Sequence, residues 1–205
     1  MGFYDRVIGP ALIACACSAG PISRQREKIV PLAAGDVLEL GMGAGANLPF
    51  YDRERVTGVS AVEPNAAMRQ RAQKVASETA IPVHLIEGVG EQLPYESGRF
   101  DCVVCTYTLC TVQDVAQTLA EARRVLKPGG RFLFCEHGRA PDADVLRWQR
   151  RIEPFWKPIG GGCHLTREPG AAIRAAGLAV TWQEQFYLPG TPRPMGWTEW
   201  GEATV

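Results

Sequence analysis

Apolar residues fall along the chain in two rhythms. Short, almost continuous apolar runs occur at Asp36–Leu40, Arg55–Val62, Pro82–Ile86, Phe100–Cys105 and Arg131–Cys135. Between them lie segments whose apolar residues recur at intervals of three and four. One opens at Asn65, a good N-cap, and runs through Met68 to Val75; another carries Val115, Leu119, Ala122 and Val125. The first rhythm predicts buried strands and the second amphipathic helices. Lys127-Pro128-Gly129-Gly130 ends the later helix where glycine is expected. Weaker alternation near Val180–Tyr187 and Trp197–Thr204 predicts two closing strands. Strands apolar on both faces, separated by helices, imply one α/β domain built on a parallel sheet covered on each side. A length of 205 residues fits a single domain.

The N-terminus changes this picture. No residue from Val7 to Ile22 carries a charge. The stretch holds two prolines and two glycines and is shorter than the roughly 20 apolar residues a membrane-spanning helix needs. Asp5 and Arg6 cancel, so a basic leader is missing. Leu12-Ile13-Ala14-Cys15 only loosely imitates a lipoprotein cleavage box. Ile8, Leu12 and Ile13 read instead as the apolar stripe of a short helix that closes over a pocket or dips into a membrane interface. Lys plus Arg and Asp plus Glu both number 22, which disfavours a nucleic-acid surface. Cys102, Cys105, Cys110 and Cys135 lie in or beside apolar runs, as expected of buried free thiols in a reducing, cytoplasmic compartment. Cys102 and Cys105 are three apart on a strand and point to opposite faces, so no metal site is expected of them. Cys110 and Cys163 read as small buried hydrophobes.

The most informative stretch is Glu39-Leu40-Gly41-Met42-Gly43-Ala44-Gly45, directly after the first strand. Glycines there let the backbone turn tightly and approach a ligand at the carboxyl ends of the strands. Glu63 follows at the end of the second strand, where a carboxylate can accept both hydroxyls of a ribose. This pattern also satisfies a dinucleotide fingerprint. Two features separate the readings. Glu39 sets a negative charge beside the loop, suiting a cationic ligand and not a pyrophosphate, and Leu126–Gly130 has no place in the dinucleotide motif.

With these residues the sequence resembles a class I S-adenosylmethionine-dependent methyltransferase over roughly residues 35–137. The resemblance implies a Rossmann-like fold whose seven-stranded, mostly parallel sheet ends in an antiparallel strand. It implies that Glu39, Gly41, Gly43 and Gly45 surround the methionine part of the cofactor. Glu63 would hold the ribose, with Pro64, Asn65 and Met68 beside the adenine. Gly88-Val89-Gly90-Glu91-Gln92-Leu93-Pro94 resembles the family's G-D-A-E-x-L-P; Val89 stands where an aspartate often binds the adenine amino group. Cys105 and Thr106 end the strand that lines the methyl-transfer centre in the family.

Further stretches narrow the resemblance. Val104–Val112, Phe134-Cys135-Glu136-His137, Trp148-Gln149 and Gly162-Cys163-His164-Leu165-Thr166-Arg167 are similar in order to the methyltransferase-like 7 group. Its characterised members methylate small thiols and sit on intracellular membranes. That implies a small-molecule methyl acceptor, a thiol before others, and contact with a membrane surface, for which the basic and aromatic run Arg147–Lys157 is a candidate. His137 and His164 are the candidate general bases, Tyr107, Leu109, Trp148, Phe155 and Trp156 the candidate apolar walls, and His84 a structural residue. The group usually has asparagine at the position of His164. A lid or membrane-contact segment at 1–34, a cofactor core at 35–137 and a substrate-side region at 138–205 are expected. Two alternatives stand beside this reading: methylation of a phospholipid or quinone on nitrogen or carbon, and a nucleotide-binding module without catalysis.

Overall fold

The computed structural model describes residues 20–205. The helix expected around Ile8, Leu12 and Ile13 lies outside them. The first described element is α1 (Gly20–Ile29), which begins within the uncharged N-terminal stretch. Then come β1 (Gly35–Leu40), β2 (Val56–Val62), α2 (Ala66–Ala76), β3 (Val83–Ile86), β4 (Phe100–Thr106), α3 (Val115–Val125) and β5 (Leu126–His137). The chain closes with α4 (Ala143–Ile159), α5 (Pro169–Ala175), β6 (Ala179–Tyr187), α6 (Arg193–Gly196) and β7 (Trp197–Thr204).

The seven strands lie in the order β3-β2-β1-β4-β5-β7-β6. β1 to β5 pair in parallel, and β7 runs antiparallel to both β5 and β6. The last strand is therefore antiparallel, as the resemblance implies. Alternate residues feed two cores. Val103, Cys105, Phe132 and Phe134 face α3 and α5, packing with Leu119, Val125 and Ile173. Cys102, Val104, Leu133 and Cys135 face the other layer, with Ile29 of α1 and Ala72 of α2. Period-two alternation thus sends Cys102 and Cys105 to opposite faces. No helix among the described residues is long and apolar enough to cross a membrane.

The helix starts follow from their caps. Asn65 Oδ1 accepts the Met68 N–H at 3.1 Å, and Asp114 Oδ1 accepts the Gln117 N–H at 3.0 Å. One boundary differs from the sequence reading. β5 already begins at Leu126, which pairs with Phe100, and the next aligned pair is Cys102 with Arg131. The Lys127–Gly130 turn is a bulge inside the strand, with Gly129 in the left-handed region (φ +74°).

Candidate active site

Open parallel sheets bind ligands beyond the carboxyl ends of their strands, where the order reverses. Here β1 and β4 diverge at that point, and a cavity of about 570 Å³ opens above them. Its walls come from the loop after β1 (Gly41, Met42, Gly43, Ala44, Ala46), the end of β2 (Val62 to Asn65) and Met68. The loop after β3 (Gly88 to Glu91) and the loop after β4 (Thr106 to Thr108, Thr111 to Gln113) complete most of the rim. Arg26 of α1 and the Gly160-Gly161 turn close it.

The glycine loop is shaped by two needs. Gly41 has φ +66°, and a Cβ there would fall 2.7 Å from the Thr108 side chain. Thr108 cannot yield: its Oγ1 donates to the Leu40 carbonyl at 3.0 Å and its N–H to Glu136 Oε1 at 2.8 Å. Gly43 has φ +57° with open space where a side chain would stand, which lets a ligand pass close over its backbone. Glu63 ties the loop to the ribose-side wall. Its Oε2 accepts the Gly43 N–H and its Oε1 the Asn65 N–H, both at 2.9 Å. Burial raises its pKa against those two bonds and the Arg69 charge. Each carboxylate oxygen keeps a lone pair that a hydroxyl of a nucleoside can fill.

Of the residues expected around a cofactor, Gly41, Gly43, Glu63, Pro64, Asn65, Met68, Val89, Gly90, Glu91 and Thr106 meet at this one cavity. Glu39, Gly45 and Cys105 stand behind its wall. A side chain at Gly45 would press on Leu48, Ala72 and Val75, so this glycine packs the loop onto α2. Cys105 is fully buried in β4, its thiol donating to Glu136 at 3.4 Å. Glu39 is 1 % exposed; it accepts from Asn47 Nδ2 and the Tyr51 hydroxyl, each at 2.8 Å. Asn47 in turn accepts from Arg26 Nη1 at 2.6 Å, and the same nitrogen donates to Thr106 Oγ1. The role of Glu39 is thus indirect: through Asn47 it fixes an arginine that reaches the cavity.

Arg26 is the residue the sequence did not suggest. It is 6 % exposed, its guanidinium lies 5.3 Å from the centre of the Tyr107 ring, and its Nε has no partner. A buried, partly uncommitted guanidinium fits a carboxylate, which is what the amino-acid end of S-adenosylmethionine carries. Together with the space left over Gly43 and the lone pairs of Glu63, this guanidinium gives a lining that suits that cofactor. Tyr107 itself adopts φ +54°, rare for a side-chain-bearing residue, as its N–H bonds to the Cys135 carbonyl at 2.8 Å and its ring turns beneath Arg26.

Burial pushes the Glu39 carboxyl up to about 7, against the bonds from Tyr51 and Asn47 and the Arg26 charge. The folded state therefore binds this proton more tightly than the unfolded one. Stability from Glu39 is full below the ordinary glutamate range near 4.5 and is lost as pH rises through about 7. Subtracting the pH profile of urea midpoints for Glu39→Gln from that of the ligand-free parent should leave a decline confined to that window. A flat difference would contradict the burial of a titrating Glu39.

The candidate bases and walls are placed elsewhere. Neither His137 nor His164 is among the cavity-lining residues. His164 Nδ1 lies 3.5 Å from Glu153, and its N–H bonds to the Cys110 carbonyl at 2.8 Å. His137 Nε2 meets Cys163 Sγ at 2.8 Å, and Trp156 Nε1 donates to the same sulfur at 3.3 Å. Hydrogen bonding from Cys110, then the bond and charge of His137, hold the Cys163 thiol below its ordinary range despite burial. Tyr107 lines the cavity, whereas Leu109 belongs to the core. Trp148 and Phe155 are 56 % and 75 % exposed, because the buried stripe of α4 runs through Val145 and Gln149 and turns them to the opposite side. They are not cavity walls. The glycine turn Gly160-Gly161 takes that place.

Comparison with known proteins bears on the family and the fold. A family model described as a methyltransferase domain matches residues 38–134. The thiol S-methyltransferase TMT1B of Rattus norvegicus is 40 % identical over 172 residues, covering 78 % of this chain and 68 % of the relative. The thiol S-methyltransferase TMT1A of Homo sapiens is 32 % identical over 182 residues, covering 85 % and 70 %. Among solved structures, geranyl diphosphate methyltransferase in complex with SAM superposes with a TM-score of 0.71 at 16 % identity, over 89 % of this chain and 84 % of that one. That last likeness is one of fold.

Proposed function

The chain belongs to the thiol S-methyltransferase TMT1 group of class I S-adenosylmethionine-dependent methyltransferases, and from this premise we propose that its acceptor is a small, apolar thiol methylated on sulfur. The enzyme is a methyltransferase and its cofactor is S-adenosylmethionine. When bound, that cofactor supplies an electrophilic methyl group on a positively charged sulfur. Glu63 would hold the ribose, Arg26 the carboxylate, and the Gly88–Gly90 backbone with Val89 and Met68 the adenine. The acceptor would enter between Tyr107, Thr111, Val112 and the Gly160-Gly161 turn, on the side away from Glu63.

One observation carries the choice of a thiol. Among the described residues, the ionisable side chains on the cavity wall are Arg26, Glu63, Glu91 and Tyr107. Glu63 is bonded to the loop backbone, and Glu91 accepts the Gln113 and Asp114 N–H groups at 2.8 and 3.2 Å. Burial raises the Tyr107 hydroxyl well above its ordinary range, and Arg26 is a cation. None is placed as a general base for the acceptor. An alcohol or an ammonium ion would need one; a thiol with a pKa of about 8.5 is already a few per cent thiolate at neutral pH. The transfer then makes one S–C bond as another breaks, and two opposite charges vanish, which a largely apolar cavity favours. What the protein supplies is alignment, worth effective molarities on the order of 10⁵ M or more.

The test is a panel of thiols, amines, quinones and phospholipids incubated with methyl-labelled cofactor. Label is expected in apolar thiols, recovered as the methyl thioether. Label confined to lipid, quinone or amine would overturn the thiol assignment.

A further inference from the structure

Cys110, His137 and Cys163 take no part in the cofactor cavity, yet the fold gathers them from three distant segments. Cys110 follows β4, His137 ends β5, and Cys163 comes after the turn that closes α4. Their ligating atoms lie within 4.8 Å of one another, with both cysteines buried (3 % and 7 % exposed). We infer that these three side chains form a binding site for a borderline-soft divalent cation, Zn²⁺ by preference, with Sγ of Cys110, Nε2 of His137 and Sγ of Cys163 as ligands.

Five considerations support this. Two sulfurs and one imidazole nitrogen form a donor set that selects Zn²⁺ over Mg²⁺ or Ca²⁺. Binding displaces the Cys110 thiol proton and the proton shared by His137 and Cys163, and two thiolates offset the double charge of the ion, so a neutral unit is buried. Tetrahedral coordination with metal–ligand distances of about 2.0–2.3 Å needs donors roughly 3.5 Å apart, within the observed spread. The ion would replace the 2.8 Å contact between His137 and Cys163 by coordination to both. The surroundings are also suited: Ile152, Trp156, Leu165 and Met195 pack around the two cysteines and keep water away. Backbone geometry holds the ligands in place. Gly161 and Gly162 adopt φ +63° and +89° to turn the chain, Cys163 N–H bonds to the Gly160 carbonyl at 3.2 Å, and His164 N–H ties the same turn to Cys110. Three protein donors leave a fourth position for an external ligand.

The site sits beside the acceptor wall, since Thr111 follows Cys110 and Gly160-Gly161 precede Cys163. A bound ion would pin the turn after α4 to the carboxyl ends of β4 and β5 there.

Cobalt(II) serves as the probe, because thiolate ligation to it gives an intense near-ultraviolet charge-transfer band and tetrahedral geometry gives strong visible bands. Titrating the chelator-treated full chain should develop both to an end point of one ion per chain, and Zn²⁺ should bleach them. Cys110→Ala and Cys163→Ala should each weaken the complex by on the order of 100-fold or more. A combined Cys15→Ala, Cys17→Ala variant and Cys102→Ala should titrate like the parent. S-adenosylhomocysteine binding, measured alongside, shows that each variant is folded. A parent chain that develops no thiolate–cobalt band overturns the inference without recourse to any variant, and so does a Cys110→Ala or Cys163→Ala variant that titrates at the parent's cobalt concentrations. These readouts are independent of methyl transfer, so they stand apart from the choice of acceptor.

Discussion

Replacing Arg26 by methionine is expected to weaken S-adenosylmethionine binding about 100-fold while leaving the decarboxylated cofactor bound as before. The guanidinium is held from behind, by the Glu39–Asn47 pair and Thr106, with its Nε uncommitted. Charge-assisted hydrogen bonds contribute about 1.5–3 kcal/mol each, and two of them to a carboxylate amount to roughly 3 kcal/mol, or some two decades in affinity. Methionine keeps most of the packing volume and removes the charge. Calorimetry with the two cofactors separates the roles. If Arg26 only braces the loop after β1, both ligands should lose affinity equally, and that outcome would remove it as the carboxylate partner.

Glu63→Ala should give the complementary pattern. Both cofactors, and the demethylated product, should bind at least 100-fold more weakly, because all three share the ribose. Two effects combine. The ribose hydroxyls lose their acceptor, and the Gly43 and Asn65 N–H groups lose theirs, which frees the loop and the start of α2. Glu63→Gln, which keeps one carbonyl oxygen, should recover part of the loss. Equal affinities for the parent and Glu63→Ala would mean that the nucleoside lies elsewhere than between Gly43 and Met68.

Much of this arrangement is written in local sequence. Apolar runs gave the strands, because a parallel sheet covered on both faces leaves little room for polar positions. The glycine loop and Glu63 were legible for a related reason: a strand, a tight turn and an acid at the next strand end are fixed by chain neighbours. The parts that were not legible depend on contacts between remote segments. Nothing near Arg26 signals that its side chain crosses to Thr106 on β4. Glu39 looks like a cofactor ligand from its place before Gly41, but the side chain points behind the loop to Asn47 and Tyr51. His137 was placed at the right rim of the sheet, and its nearest polar partner is a cysteine beyond α4 that no spacing rule connects to it. The aromatic residues of α4 misled for a different reason. Trp148 and Phe155 are apolar, yet the buried stripe of that helix passes through Gln149, whose amide bonds to the Gly138 and Pro194 carbonyls and whose carbonyl accepts the Ala140 N–H. A buried polar residue set the orientation of the helix, and hydrophobicity alone could not reveal it.

At the centre stands an acceptor that ionises by itself, in a cavity where no described wall residue is placed as a base for it. The direct measurement is kcat/KM for methyl transfer across pH, repeated with a series of small apolar thiols of graded pKa. The rate should rise with pH and level off at the pKa of whichever thiol is used, moving along the pH axis with the acceptor. A break that stays at one pH for every thiol would place the decisive proton on the protein and contradict the account.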